Sequence, residues 1–258
     1  MSNKTLIKWS AVCLATVVMS GILHAEATPM PSPSDGSAWP GVGSHSIPPP
    51  AGVNGWFKDN RNWFDSIKGS SQDGIVFVGD SLFGNMGANP EGKSSYYPGY
   101  KIVNRAIGGD TTRGVLWRLQ EDALSLNPKA LVILVGSNDL SAHAKAEEVI
   151  ANIKSIIGKS AEVKPEMPIV LCTITPRKSP VAPIDKQWLL DVNQGIRGLS
   201  SEKNVTIVDL YPVFVGADDE PNPEYFEKDL LHMNKAKGYP KLAEVLTPVF
   251  EKLNLPKN

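Results

Sequence analysis

The chain is short of cysteine, of membrane-length apolar runs and of net charge, and each shortage removes a class of protein from consideration. Only two of its 258 residues are cysteine. Cys13 falls in a segment that reads as a processed leader, so the mature chain would keep Cys172 alone and could form no internal disulfide. Cys172 sits in the apolar run Pro168-Ile-Val-Leu-Cys-Thr-Ile-Thr175, where it reads as a small buried hydrophobe rather than a thiol nucleophile. The N-terminal apolar stretch from Trp9 to Leu23 has 15 residues, short of the roughly 20 that span a bilayer. Formal net charge is −1, which gives no electrostatic reason to expect nucleic acid or an anionic membrane as partner. No internal repeat is visible.

What is present divides the chain into three parts. Lys4 and Lys8, the apolar run and then Ala25-Glu26-Ala27 follow the charged, greasy, small-residue order of a secretory signal. Residues 1–27 are therefore expected to be a signal peptide cleaved after Ala25 or Ala27, and the protein to be exported to the periplasm or the cell exterior. Residues 28–52 are rich in Pro, Ser and Gly without apolar periodicity and read as an extended or flexible arm. A single domain is expected over 53–258.

Within that domain, Ile75–Val78, Ala130–Val135, Ile169–Ile174 and Val205–Leu210, with a weaker run at Lys101–Val103, read as strands buried on both faces. Helical stripes alternate with them: Val115, Leu116 and Leu119, then Val149, Ile150, Ile153, Ile156 and Ile157. The spacing of Trp56, Trp63 and Phe64 predicts an opening helix that packs through these three. Leu242 to Leu253 predicts a closing helix that Pro248 should kink or divide. Strand-helix alternation from end to end implies an α/β fold, a doubly wound sheet of about five parallel strands in flavodoxin-like order 2-1-3-4-5, within three α/β/α layers.

In such sheets chemistry gathers at the carboxyl ends of the strands. The polar residues that directly follow the apolar runs are Asp80-Ser81, Gly108-Gly109-Asp110 and Ser137-Asn138-Asp139, so these three segments should converge on one rim. Ser81 is the candidate nucleophile. It needs a base and a group that orients the base. Of four histidines, His24 lies in the leader, His45 in the arm, and His143 has no partner suggested beyond nearness to Asn138-Asp139. His232 has Asp229 three residues earlier, within reach of the imidazole across one turn. Acyl transfer also needs donors aimed at the developing oxyanion, and the N–H groups of Ser81 and Gly109 with the carboxamide of Asn138 are the candidates. Gly108-Gly109 reads equally as a helix-start turn, with Asp110 or Thr111 as N-cap. The two readings are compatible, because a helix N-terminus favours negative charge.

Together these residues resemble the SGNH, or GDSL, hydrolase superfamily. Ser81 in Gly-Asp-Ser-Leu, Gly109 in Ile-Gly-Gly-Asp-Thr-Thr, Asn138 in Gly-Ser-Asn-Asp and the Asp229/His232 pair match its blocks in order, and the match covers nearly all of 56–253. Within it the chain is similar to the catalytic subunits of intracellular platelet-activating factor acetylhydrolase, through Ile107-Gly-Gly-Asp-Thr-Thr-Arg-Gly-Val-Leu-Trp-Arg-Leu119 and at Pro176-Arg177 and Asn193. It departs from them at Ala106, where a glycine is common, at Asp139, where they tend to have a second Asn, and in its expected export. The resemblance implies a short acyl group, acetyl above all, and a homodimer.

The expected activity is hydrolysis of a small acyl ester through a Ser81-His232-Asp229 triad and an acyl-enzyme, with no metal or organic cofactor called for. Export also favours a carbohydrate O-acetylesterase acting on polysaccharide or peptidoglycan. An ordinary α/β-hydrolase would need Gly-x-Ser-x-Gly, and Phe83 stands in the place of the second glycine. A non-catalytic module that cradles phosphate at Gly108-Gly109 would have no use for Asp229 and His232 together.

Overall fold

The computed structural model describes residues 55–87, 91–180 and 183–258; the expected signal peptide and arm lie outside the described residues. Five strands form one sheet: β1 (Ile75–Gly79), β2 (Ile102–Asn104), β3 (Ala130–Leu134), β4 (Ile169–Cys172) and β5 (Val205–Val208). Their order is β2-β1-β3-β4-β5 and every pairing is parallel, as the sequence predicts.

Around the sheet lie α1 (Trp56–Ser66), α2 (Ser81–Gly84), α3 (Thr112–Asp122), α4 (Ser137–Ser141), α5 (Ala146–Val163), α6 (Lys186–Gly198), α7 (Tyr211–Phe214) and α8 (Gly238–Lys252). Because side chains alternate along a strand, each central strand feeds two cores. Val76, Val78, Leu131, Ile133, Ile169 and Leu171 pack with α3, α5 and α6. Ile75, Phe77, Val132, Leu134, Val170 and Cys172 pack on the other face with Phe83, Phe214 and α8. Strands covered on both faces explain the continuous apolar runs.

Three expectations needed correction. First, β5 is not buried on both faces: Val205, Thr206 and Ile207 are all partly exposed, because the packed core covers this edge strand only in part, whereas β2 at the opposite edge is buried along its length. Second, α1 anchors through Phe57 and Phe64, both buried and seven residues apart on one stripe, while Trp63 is only half-buried and the Trp56 side chain lies outside what the structure describes. The Phe57 ring stacks on Trp117 of α3 at 6.3 Å. Third, Pro248 does not divide α8, which is helical from Gly238 to Lys252. Pro248 is on the solvent face, where water can satisfy the carbonyl that loses its donor.

Candidate active site

The first site element is the β1-to-α2 turn. Gly79 has φ +153°, and a Cβ there would lie 2.0 Å from the Leu134 carbonyl oxygen of β3, so only glycine lets the two chains approach so closely. Asp80 follows in extended conformation and caps α2, its carboxylate accepting the Leu82 N–H at 2.9 Å. This places Ser81 at the first helical position, on the rim at the carboxyl end of the sheet.

Across from it, the segment 229–232 is shaped by Asp229. One carboxylate oxygen accepts the N–H groups of Leu231 and His232, both at 3.0 Å, while Leu230 takes a left-handed φ of +50°. The other oxygen lies 2.6 Å from His232 Nδ1, and His232 Nε2 lies 2.9 Å from Ser81 Oγ. With a proton on Nδ1 directed at the carboxylate, the Nε2 lone pair faces the serine hydroxyl, which donates to it. Burial disfavours the Asp229 charge, but the hydrogen bonds from the His232 N–H, the imidazole and the Leu231 N–H outweigh it and hold the carboxyl below its ordinary value. The acid is therefore an anion at neutral pH, as an orienting group must be.

The other prospective oxyanion donors lie on the segments that follow β2 and β3, the two strands flanking β1. Ile107 donates to the Gly79 carbonyl at 3.0 Å, and the Asp110 N–H closes a turn onto Ile107 at 3.1 Å. Gly109 occupies the third position of that turn with φ +76°, which favours glycine there. Asn138, in the first turn of α4, donates from Nδ2 to the Asp110 carbonyl at 2.9 Å. That bond fixes the carboxamide against the Gly109 turn and leaves the second N–H of the amide for a ligand. Thr111 is the N-cap of α3, accepting the Gly114 N–H at 3.2 Å, so the turn both starts a helix and lines the rim.

Beneath the rim is a set of buried charges whose pairing sequence reasoning did not find. Asp110 accepts Arg118 Nε at 2.7 Å, both side chains buried, and Arg118 Nη1 also donates to the Arg105 carbonyl at 2.5 Å. Asp139 is buried too, accepting the N–H of Thr112 at 2.9 Å and its hydroxyl at 2.5 Å, and so ties α4 to α3. Arg177 donates to the Ser137 carbonyl at 3.0 Å and its hydroxyl at 2.7 Å, pinning the residue before Asn138. Burial, reinforced by the charges of Asp110 and Asp139 against the pull of the Leu82 N–H and Arg177, pushes the Asp80 carboxyl up to about 7. Asp110 is raised by burial to about 6 despite Arg118. Eight residues separate Asp110 from Arg118, an interval in sequence that signals no contact. His143, the other histidine of the described domain, has its ring edge-on to Trp188 at 6.0 Å. Among the described residues no group of three or more His, Cys, Asp or Glu is arranged to hold a metal ion, and no helix is long and apolar enough to cross a membrane.

A hydroxyl facing an imidazole lone pair, a carboxylate behind the imidazole and amide donors alongside form a set that can add an oxygen nucleophile to a carbonyl and stabilise the product. Comparison with known proteins points the same way. The sequence profile of the GDSL-like lipase/acylhydrolase family matches residues 77–239. Platelet-activating factor acetylhydrolase IB subunit alpha2 of Rattus norvegicus is 30% identical over 216 residues, 83% of this chain and 91% of that protein. The alpha1 subunit of the same organism is 31% identical over 174 residues, 67% and 72% respectively. Among solved structures, a GDSL-like lipase from Bacteroides thetaiotaomicron superposes with TM-score 0.64 at 21% identity, over 77% of this chain and 98% of its own. A variant of an acetyl xylan esterase from Geobacillus stearothermophilus superposes with TM-score 0.55 at 22% identity, over 73% and 99%. At those identities the structural likenesses establish the fold.

Proposed function

We propose that this chain, which belongs to the GDSL-like lipase/acylhydrolase family, hydrolyses short acyl esters, acetyl above all, with Ser81 as nucleophile, His232 as base and Asp229 as orienting acid. Membership makes the chain an ester hydrolase. The observation that supports the assignment of roles is the continuous relay from Ser81 Oγ to His232 at 2.9 Å and from His232 to Asp229 at 2.6 Å.

In this mechanism His232 Nε2 takes the Ser81 proton as Oγ bonds to the ester carbonyl carbon. The carbonyl oxygen becomes an anion held by the N–H groups of Ser81 and Gly109 and the free N–H of Asn138. Collapse breaks the bond to the alcohol oxygen, which leaves with the proton from His232. Water then enters, gives its proton to the same imidazole and releases the acid, restoring the Ser81 hydroxyl. Asp229 remains ionised throughout and offsets the imidazolium charge.

The preference for acetyl draws support from relatives named platelet-activating factor acetylhydrolase and from the structural likeness to an acetyl xylan esterase. The same names suggest two ester substrates, platelet-activating factor and an acetylated polysaccharide. Export belongs to this reading, through Lys4, Lys8, the apolar run and Ala25-Glu26-Ala27, and predicts a mature N-terminus at residue 26 or 28. A homodimer is carried over from the resemblance, and light scattering on the purified chain tests it against a monomer. The direct test of the chemistry is labelling with a fluorophosphonate. One equivalent should attach at Ser81 and none should attach in His232→Ala; labelling at another serine would overturn the assignment.

A further inference from the structure

Outside the triad, one cavity combines an exposed aromatic face with hydrogen-bonding groups. It has a volume of about 270 Å³ and is bordered by His143, Lys145, Glu147, Trp188 and Asp191 over a floor of alanines. Trp188 is 42% exposed. The core-facing stripe of α6 is Leu189, Val192, Asn193 and Ile196, so Trp188 lies off it and the helix does not need the indole to pack. A single exposed apolar side chain is ordinary on a protein surface. Here, however, the indole flanks a concavity, His143 stands edge-on to it at 6.0 Å, and Gln187 Nε2 holds Asp191 at 2.8 Å.

We propose that this cavity is a glycan subsite that holds the neutral pyranose chain of an acetylated polysaccharide while a neighbouring acetyl group reaches Ser81. This rests on the esterase reading above and names the alcohol it acts on. The chemistry fits in three respects. An indole face offers a flat, polarisable surface for the C–H face of a pyranose. Carboxylates, an ammonium and an imidazole around it accept and donate to ring hydroxyls. Two carboxylates against one ammonium leave the border acidic, which disfavours a phosphate-bearing headgroup and suits an uncharged sugar.

The position also fits. Asn138 is in the first turn of α4 and His143 lies two residues beyond its end. Lys145, Glu147 and Trp188 stand at or beside the N-terminal ends of α5 and α6, which begin on the side of the sheet where β3 and β4 end, the same side as Asn138.

The test compares wild type, Trp188→Ala and Trp188→Phe on acetylated xylo-oligosaccharides, acetylated peptidoglycan, a short-chain acetylated phospholipid and p-nitrophenyl acetate. Trp188→Ala should lower kcat/KM for the oligosaccharides about tenfold, through KM, with Trp188→Phe recovering most of the loss. Both variants should match wild type within about twofold on p-nitrophenyl acetate, which also shows that they fold. Deacetylated xylohexaose should bind the Ser81→Ala protein and bind at least tenfold more weakly when Trp188→Ala is added. Wild-type turnover of p-nitrophenyl acetate without turnover of the oligosaccharides would overturn the glycan subsite and leave the esterase intact. An equal loss on all substrates, or a loss confined to the phospholipid or peptidoglycan, would also overturn it. Undiminished p-nitrophenyl acetate turnover in Ser81→Ala would instead overturn the esterase assignment, and xylohexaose binding would still judge the subsite.

Discussion

Replacing Asp80 by Asn removes a buried carboxylate directly before Ser81 and keeps its shape, including the oxygen that accepts the Leu82 N–H at 2.9 Å. In the folded chain the Asp80 carboxyl titrates at about 7, against an ordinary value of 3.8. A raised acid binds its proton more tightly when folded. Its stabilisation is therefore complete below about pH 4, falls between pH 4 and 7, and is gone above that window. At about 1.4 kcal/mol per tenfold change in proton affinity, the fall is about 4 kcal/mol. Asp110, raised to about 6, adds a shallower fall in the lower part of the same window. Urea unfolding of wild type at pH 4, 5, 6, 7 and 8 should thus lose stability toward pH 8. The Asp80→Asn curve should be flatter, with the variant gaining up to about 4 kcal/mol on wild type between pH 4 and pH 8. For a domain of this size that is a relative rise in Tm of roughly 10 °C. Parallel wild-type and variant curves would refute the argument, because they would mean that Asp80 is ionised in the folded state at acidic pH and is not desolvated.

Asn138→Ala should lower kcat for p-nitrophenyl acetate by roughly 10²–10³-fold with KM little changed, since the amide N–H acts on the oxyanion and not on bound ester; steady-state kinetics read both constants. Gly79→Ala would force a Cβ to within 2.0 Å of the Leu134 carbonyl oxygen at φ +153°. It should cost about 3 kcal/mol or more, seen as a fall in Tm of roughly 10 °C. Burial pushes the Cys172 thiol far up, so a thiol-directed disulfide reagent should leave the native protein unmodified and should react stoichiometrically in denaturant.

The sheet was legible because β1, β3 and β4 are covered on both faces, which writes itself into the chain as unbroken apolar runs. The exposure of β5 was not legible: the expected strand order put it at an edge, but β2 at the other edge is buried, and how far helices cover an edge strand is set by tertiary packing rather than by Val205 to Val208 themselves. Helix α1 illustrates the limit of period reading. Trp63 and Phe64 are adjacent and both read as packing residues, yet Phe64 is buried with Phe57 while Trp63 stays half-exposed, a choice made by Trp117 and Arg105 from other parts of the chain. At the site, Ser81, Gly109 and Asn138 were legible as the polar residues that end apolar runs, and Asp229 with His232 as a pair within one turn. The partners beneath them, Asp110 with Arg118 and Arg177 with Ser137, are fixed by tertiary approach, and local sequence carries no mark of that. Asp80 and Asp139 read as rim residues like their neighbours, but the fold turns them inward.

The account stands most directly on Ser81 as the attacking group. The measurement is kcat/KM for p-nitrophenyl acetate with purified wild type and Ser81→Ala at neutral pH. Loss of the hydroxyl that lies 2.9 Å from His232 Nε2 should lower it by about 10⁴-fold or more, with the far-UV circular dichroism and Tm of wild type retained. A folded Ser81→Ala protein that keeps wild-type turnover would contradict the account.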